Sequence, residues 1–289
     1  MDKYINLLIE ASQKQIELKQ NPEFADELLS KAPPILWFGN NLTSKEKIVT
    51  IGANPSRQEF LSEDKFKSGQ RKQNGEEFKY LPSNLRRFKT LNHNQNWNDI
   101  LKDQLLQEEI IASYNNYFIK NPYKWFGKKA ISQELSYNVE GFINSLNASF
   151  YEGDKKYQCL HIDLMPFATV SDFTSILKES EKHIFEKDWA KNFLSSLIEK
   201  IDPKLMIVFG RTNLNYLKKY LGVNTSDIGQ TYRFNTTTEN GSKCSAQYCI
   251  FEYQNIKVVG LSVNLGNPKG FSKKPLKEFG KTINSHLNI

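Results

Sequence analysis

The chain puts its unusual polar residues where apolar segments end. Ile48-Val49-Thr50-Ile51 stops on Gly52-Ala53-Asn54-Pro55-Ser56, and the run "QCLHIDLMPFAT" carries Asp163. Near the C-terminus "IKVVGLSV" opens into "NLGNPKGFSKKP", with Asn264 and Asn267. An asparagine amide both donates and accepts hydrogen bonds, whereas an ionised aspartate only accepts and a protonated one can also donate. Such groups can orient water, face a developing charge or read the polar edge of a ligand. Asn-Pro is equally a turn-forming pair, so Asn54 and Asn267 also suit loops without chemistry. The end of another apolar run, Gly210-Arg211 after "KLMIVFG", is less telling.

Four apolar runs, 46–52, 158–169, 204–210 and 256–263, have strand character, and helical pattern separates each from the next. Helices are expected over 3–31, broken at "NPEF" where Asn caps and Pro suits a first turn. Others are expected at 84–91, 97–118, 131–147, 186–200, 213–220 and 275–287. The alternation predicts an α/β fold, three-layer α/β/α, with a central four-stranded, parallel, doubly wound sheet. The run 158–169 is apolar on both faces, as parallel sheets require. Ligands of such sheets collect at the carboxyl ends of the strands. Those ends are where Asn54, Asp163 and the Asn264–Asn267 segment fall. A single domain over 1–289 is expected, with an N-terminal helical extension at about 1–34. A polar insert at about 224–247 reads as a hairpin or a loose loop, and 62–77 as a long basic loop.

Composition narrows the function classes. With 39% hydrophobic and 12% aromatic residues in 289, a substantial core can be buried. A net charge of +7 favours a polyanionic partner. No apolar stretch approaches the ~18 residues of a membrane span, and the polar N-terminus with Asp2 does not read as a signal peptide. Cys159, Cys244 and Cys249 lack metal-like spacing, and their odd number argues against a disulfide framework. A reducing, cytoplasmic setting is therefore expected. There is no P-loop, GxGxxG, GxSxG or His/Cys cluster, so neither cofactor nor metal is expected.

Gly52-Ala53-Asn54-Pro55-Ser56 resembles the first signature of the uracil-DNA glycosylase superfamily, a Gly-x-(Asp/Asn)-Pro turn after the first strand. "VNLGNPKGFS" (263–272) resembles its second, a His-Pro or Asn-Pro loop after the last strand. "IDLMPF" (162–167) resembles the middle element of the single-strand-selective branch, an amide residue followed three positions later by Pro. The order and strand context match across roughly residues 35–287. The resemblance implies a uracil-DNA glycosylase-like fold and a monofunctional DNA glycosylase. Such an enzyme flips a base from double-stranded DNA, hydrolyses its N-glycosidic bond and leaves an abasic site, here as a monomer. Breaking that bond passes through an oxocarbenium-like sugar and an anionic leaving base. Asn54 is thereby implied to hold water under the sugar, and Asn267 to donate to the base O2. Phe271 takes the place of an apolar wedge pushed into the duplex. Lys269, Lys273 and Lys274 surround it for phosphate contact. Phe66, twelve residues after Asn54, lies near where relatives stack an aromatic on the flipped base. Phe60 and Phe78 compete for that role.

Two departures bear on the base. Relatives that cut only uracil carry a Tyr where this chain has Ser56, so the wall against C5 substituents is missing. Where the uracil enzymes read the base edge with Asn, this chain has Asp163. An ionised carboxylate cannot donate to O4 but accepts from the N4 amino group of cytosine, and a protonated one donates to N3. Mismatched polar edges in a buried site cost orders of magnitude in selectivity. Excising plain cytosine would destroy the host genome. The expected substrate is therefore a C5-modified cytosine (hydroxymethyl or glucosylated) of phage DNA, in antiviral defence. The alternatives are a uracil or mismatch repair glycosylase, and an inactive glycosylase-like module that binds nucleic acid.

Overall fold

The computed structural model describes residues 2–62, 80–120, 122–127, 138–171, 188–224, 230–265 and 271–287. The chain forms two compact units. The first comprises Met1–Phe38, Ala53–Asn121 and Asp163–Lys200; the second comprises Gly39–Gly52, Pro122–Ile162 and Ile201–Ile289.

The first unit is mainly helical: α1 (Asp2–Gln20), α2 (Pro22–Ala25), α3 (Trp97–Ile100), α4 (Gln104–Asn115) and, after α5 of the second unit (Asn138–Asn144), α6 (Trp189–Ile201). The N-terminal helices are not an appendage to it. Leu8 and Ala11 of α1 are fully buried, and the Trp37 ring lies 4.5 Å from Tyr4, tilted, and 5.1 Å from Tyr114, edge-on. The Trp37 indole donates to Asn115 Oδ1 at 3.2 Å, so this large ring is buried with its polar atom paired. The helix expected at 97–118 is two helices, because Asn96 and Asp103 each cap a separate start. Instead of a helix at 84–91 there is a single 3-10 turn, Ser83–Leu85, after which Arg86 is extended.

The second unit is built on one sheet. Its strands are β1 (Lys47–Gly52), β2 (Ala148–Ser149), β3 (Tyr157–Asp163), β4 (Pro203–Val208), β5 (Thr231–Thr237), β6 (Lys243–Tyr253) and β7 (Ile256–Leu261). The last residue of β3, Asp163, already belongs to the first unit. The strand order is β2-β3-β1-β4-β7-β6-β5. β1–β4, β4–β7 and β2–β3 pair in parallel, while β7–β6 and β6–β5 are antiparallel. The four strands read from the apolar runs are neighbours in the middle, ordered β3-β1-β4-β7. From β1 the chain winds first to one side and then to the other, the doubly wound pattern.

Among the described residues the sheet has seven strands, three more than the four apolar runs indicate. The insert supplies β5 and the start of β6, and together they form an antiparallel edge. Phe234, Cys244, Ala246 and Tyr248 are buried while their sequence neighbours are more exposed. That period-2 alternation marks a strand pair with one covered face.

Two further helices of this unit, α7 (Arg211–Leu221) and α8 (Lys273–Leu287), pack on the sheet with α5. Phe279 of α8 lies 4.8 Å from Phe234, 5.7 Å from Tyr248 and 5.7 Å from Phe142 of α5. Helices α5 and α8 come together at Gly280, where a Cβ would sit 2.7 Å from Ser145 Cβ and 2.8 Å from the Phe142 carbonyl oxygen. Neither atom is a flexible side-chain end, so Gly280→Ala must push the helices apart. A loss of about 1–3 kcal/mol is expected, visible as a fall of several degrees in the thermal midpoint.

Candidate functional site

The turn after β1 is clamped by the segment that follows β3. Met165 N–H donates to the Ala53 carbonyl at 3.0 Å, Ser56 pairs with Thr169 in a short parallel bridge, and Arg57 Nη1 donates to the Val170 carbonyl at 2.9 Å. At the centre is the half-buried Asn54. Its Nδ2 donates to Thr169 Oγ1 at 2.9 Å, to the Phe167 carbonyl at 3.2 Å and to its own Pro55 carbonyl at 3.2 Å. Two of those partners are carbonyl oxygens, which only accept, and Thr169 commits its hydroxyl proton to the Ser171 carbonyl at 2.8 Å. The amide orientation is thus set by chemistry: NH2 faces the post-β3 segment, and Oδ1 is left as the acceptor.

A few residues on, Ser56 Oγ caps the 3-10 turn Arg57–Glu59 by accepting from Gln58 N–H at 3.2 Å. Ser-x-x-Glu is the pattern of a capping box, but Glu59 does not reach back to complete it. Its carboxyl is buried, with the Tyr117 hydroxyl 2.9 Å from both oxygens. Arg87 Nε stands 3.7 Å from Glu59 Oε2 and Nη1 donates to the Gln58 carbonyl at 2.5 Å, which draws 86–88 out of helical conformation. Asp163 is also buried, near enough for its charge to act on Glu59. Burial is the largest influence on Glu59. It and the like charge of Asp163 outweigh Arg87 and Tyr117, so the carboxyl is pushed up to about 7. Glu59 and Asp163 are thus two buried carboxyl groups that feel each other's charge, in the same unit as the oriented amide of Asn54. Nothing in the residues adjacent to Glu59 singles it out in the sequence; its tertiary neighbours, Tyr117 and Arg87, mark it.

The other expected site residues fare differently. Ser56 is exposed and caps a turn. Phe271, expected as a protruding wedge, is instead a core ring at 9% exposure, 5.9 Å from Phe279 and 6.3 Å from Phe234. Burial against two aromatic rings stabilises it there. Lys273 and Lys274 open α8, whose start is tied to Glu239: the Lys274 N–H donates to Glu239 Oε1 at 3.0 Å and Ser272 Oγ donates to Oε2. Lys274 Nζ also lies 3.9 Å from Glu278 Oε1. Phe60, the alternative stacking ring, is buried against Phe88. Phe66, Asn267, Lys269 and Phe78 lie outside the described residues. In the second unit, His161 is buried beside Thr50 Oγ1 at 2.9 Å, with Trp125 and Phe126 about its ring.

No protein-family model matches the chain, and no curated protein matches its sequence. Among the described residues there is no cluster of three His, Cys, Asp or Glu able to hold a metal ion, and no helix long and apolar enough to cross a membrane.

Two outcomes follow from the hydrogen bonding. Asn54→Asp replaces the donating NH2 with an oxygen facing the Phe167 and Pro55 carbonyls, and should lower stability by about 1–3 kcal/mol in urea unfolding. For Glu59, the folded pKa lies above the ordinary 4.5. The folded state then binds the extra proton between pH 4.5 and about 7, and stability declines as pH rises through that window. The contribution is on the order of 3 kcal/mol. Glu59→Gln should flatten the fall of the thermal midpoint between pH 5 and 8; an unchanged profile would show that Glu59 does not titrate there.

Proposed function

We propose that this chain is a monofunctional DNA glycosylase of the uracil-DNA glycosylase type, acting on a C5-modified cytosine in double-stranded DNA. The orientation of Asn54 carries the reading. Its NH2 is spent on the protein, which leaves Oδ1 to hold a water or face a developing positive charge. Phe167 and Thr169, more than a hundred residues away, hold the NH2 and so keep the side chain in one orientation.

Other residues of the same unit suit the rest of the chemistry. The carboxyl oxygens of Asp163 can accept from the exocyclic amino group of cytosine. A proton on Glu59 relieves the repulsion between the two buried carboxyl groups. Ser56, small and exposed, sets no aromatic wall against a C5 substituent. The water held by Asn54 Oδ1 bonds to the sugar C1′ as the C1′–N bond breaks and the base leaves with the electron pair, taking up the proton the water gives up; with no lysine called on as nucleophile, the product is an abasic site. Hydroxymethylated or glucosylated cytosine in phage DNA fits this chemistry, with antiviral defence as its setting.

The test is a panel of duplexes containing uracil, a T:G mismatch, cytosine, hydroxymethylcytosine or glucosyl-hydroxymethylcytosine, with abasic product measured after strand cleavage in alkali. Excision of a modified cytosine is expected, falling by about 10²–10⁴ in Asn54→Ala. Activity on uracil alone sinks the cytosine assignment. Activity untouched by Asn54→Ala removes Asn54 from the mechanism, and none on any duplex leaves a binding module.

A further inference from the structure

The second unit carries a groove of about 400 Å³ between α7 and the antiparallel edge of the sheet. Arg211 and Lys218 of α7 flank it, Thr231 and Gln247 come from the hairpin, and Gly260 and Ser262 from the end of β7. No acidic side chain lines it. Arg211 Nη2 donates to Gln247 Oε1 at 2.6 Å, and Gln247 N–H donates to Ser262 Oγ at 2.9 Å. The guanidinium is therefore anchored over the groove. It is also the first residue of a helix with no acidic residue in its first turn and no capping side chain. A cation at the positive end of a helix is unfavourable, so an anion there would relieve two like fields together.

The positive surface continues along the hairpin. Directly opposed residues share a face of the sheet, and the pairs Thr231–Cys249, Arg233–Gln247, Asn235–Ser245 and Thr237–Lys243 share the face toward the groove. The alternate pairs, Tyr232–Tyr248 and Phe234–Ala246, are those covered by α8. Arg233 and Lys243 are exposed. Among the described residues no carboxylate pairs with Lys218, Arg233 or Lys243. Seven residues of β5 extend about 20 Å, more than a single phosphate or mononucleotide would span.

We infer that the α7 groove and the outward face of the β5–β6 hairpin bind the phosphodiester backbone of a nucleic acid. Its phosphates pair with Arg211, Lys218, Arg233 and Lys243, and Thr231, Asn235 and Ser245 supply neutral hydrogen bonds. Such contacts position a duplex without reading its sequence. The inference rests on the glycosylase reading only in taking duplex DNA as its ligand.

The experiment is fluorescence anisotropy of a labelled duplex of ordinary bases, titrated with the full-length protein at several salt concentrations. Changing Arg211, Lys218, Arg233 and Lys243 together to Gln should weaken binding roughly 100-fold at about 0.15 M salt, and should reduce the slope of log K against log salt by about 3 to 4. Single substitutions should each reduce it by about 1. Lys204→Gln, at the amino end of β4 in the same unit, removes one charge and should change neither quantity. Circular dichroism and the thermal midpoint check that each variant is folded. A folded quadruple variant with wild-type affinity and slope overturns the inference, while excision in the base panel would still stand. Displacement of the duplex by an equimolar mononucleotide also overturns it, by making the groove a small-ligand site. Wild-type protein that binds no duplex overturns both readings. Groove-dependent binding without excision of any base supports the surface and removes the glycosylase.

Discussion

A buried stretch of chain without regular secondary structure must have its backbone polar groups paired by something else. Leu164–Val170 is such a stretch, buried at every residue. Two other segments pair it. Ile35 N–H donates to the Pro166 carbonyl at 2.8 Å and Leu29 N–H to the Ala168 carbonyl at 3.2 Å. Val170 N–H donates to the Glu27 carbonyl at 2.8 Å, and the turn after β1 contributes through Ala53, Asn54 and Arg57. Satisfying this loop is what fixes Asn54, so the demand that keeps the first unit folded also aims the amide. The NH2 serves the fold, and the structural demand alone sets which way the amide faces.

Electrostatics divides the molecule into two kinds of polar site. In the first unit two carboxyl groups, Glu59 and Asp163, are buried close together, and their mutual repulsion with burial favours a proton on Glu59. Arg87 and Tyr117 temper that pressure without removing it. In the second unit the cations are at the surface, spread along a helix and a hairpin face, where each interacts weakly in water and is screened by salt. Enclosed carboxyl groups suit selection among polar edges, because an unmatched group there is costly. Dispersed cations suit a long anion, whose many phosphates compensate for weak individual contacts.

The hydrophobic pattern made the middle of the sheet legible. β1, β3, β4 and β7 are almost wholly buried, and such strands stand out as continuous apolar runs. The hairpin was harder to read, because a sheet edge with one wet face alternates Phe234, Cys244 and Ala246 with exposed polar residues around a polar "TTTENGSK" turn. Asn96 and Asp103 split a helix that periodicity alone runs together.

What the sequence determined by itself was local: which runs are strands, that Asn54 and Asp163 fall where those strands end, and that the chain is basic. These follow from side-chain chemistry and nearest-neighbour geometry. Tertiary structure decided which groups meet. Thr169 reaches Asn54 across 115 positions, Tyr117 covers Glu59 across 58, and Arg211 finds Gln247 across 36. It also took Phe271 out of solvent and into the core beside Phe279. Apolar rings are driven to whatever cover the fold provides, and buried polar groups to whatever partner removes the cost of leaving water. Neither destination is written in the residues adjacent to them.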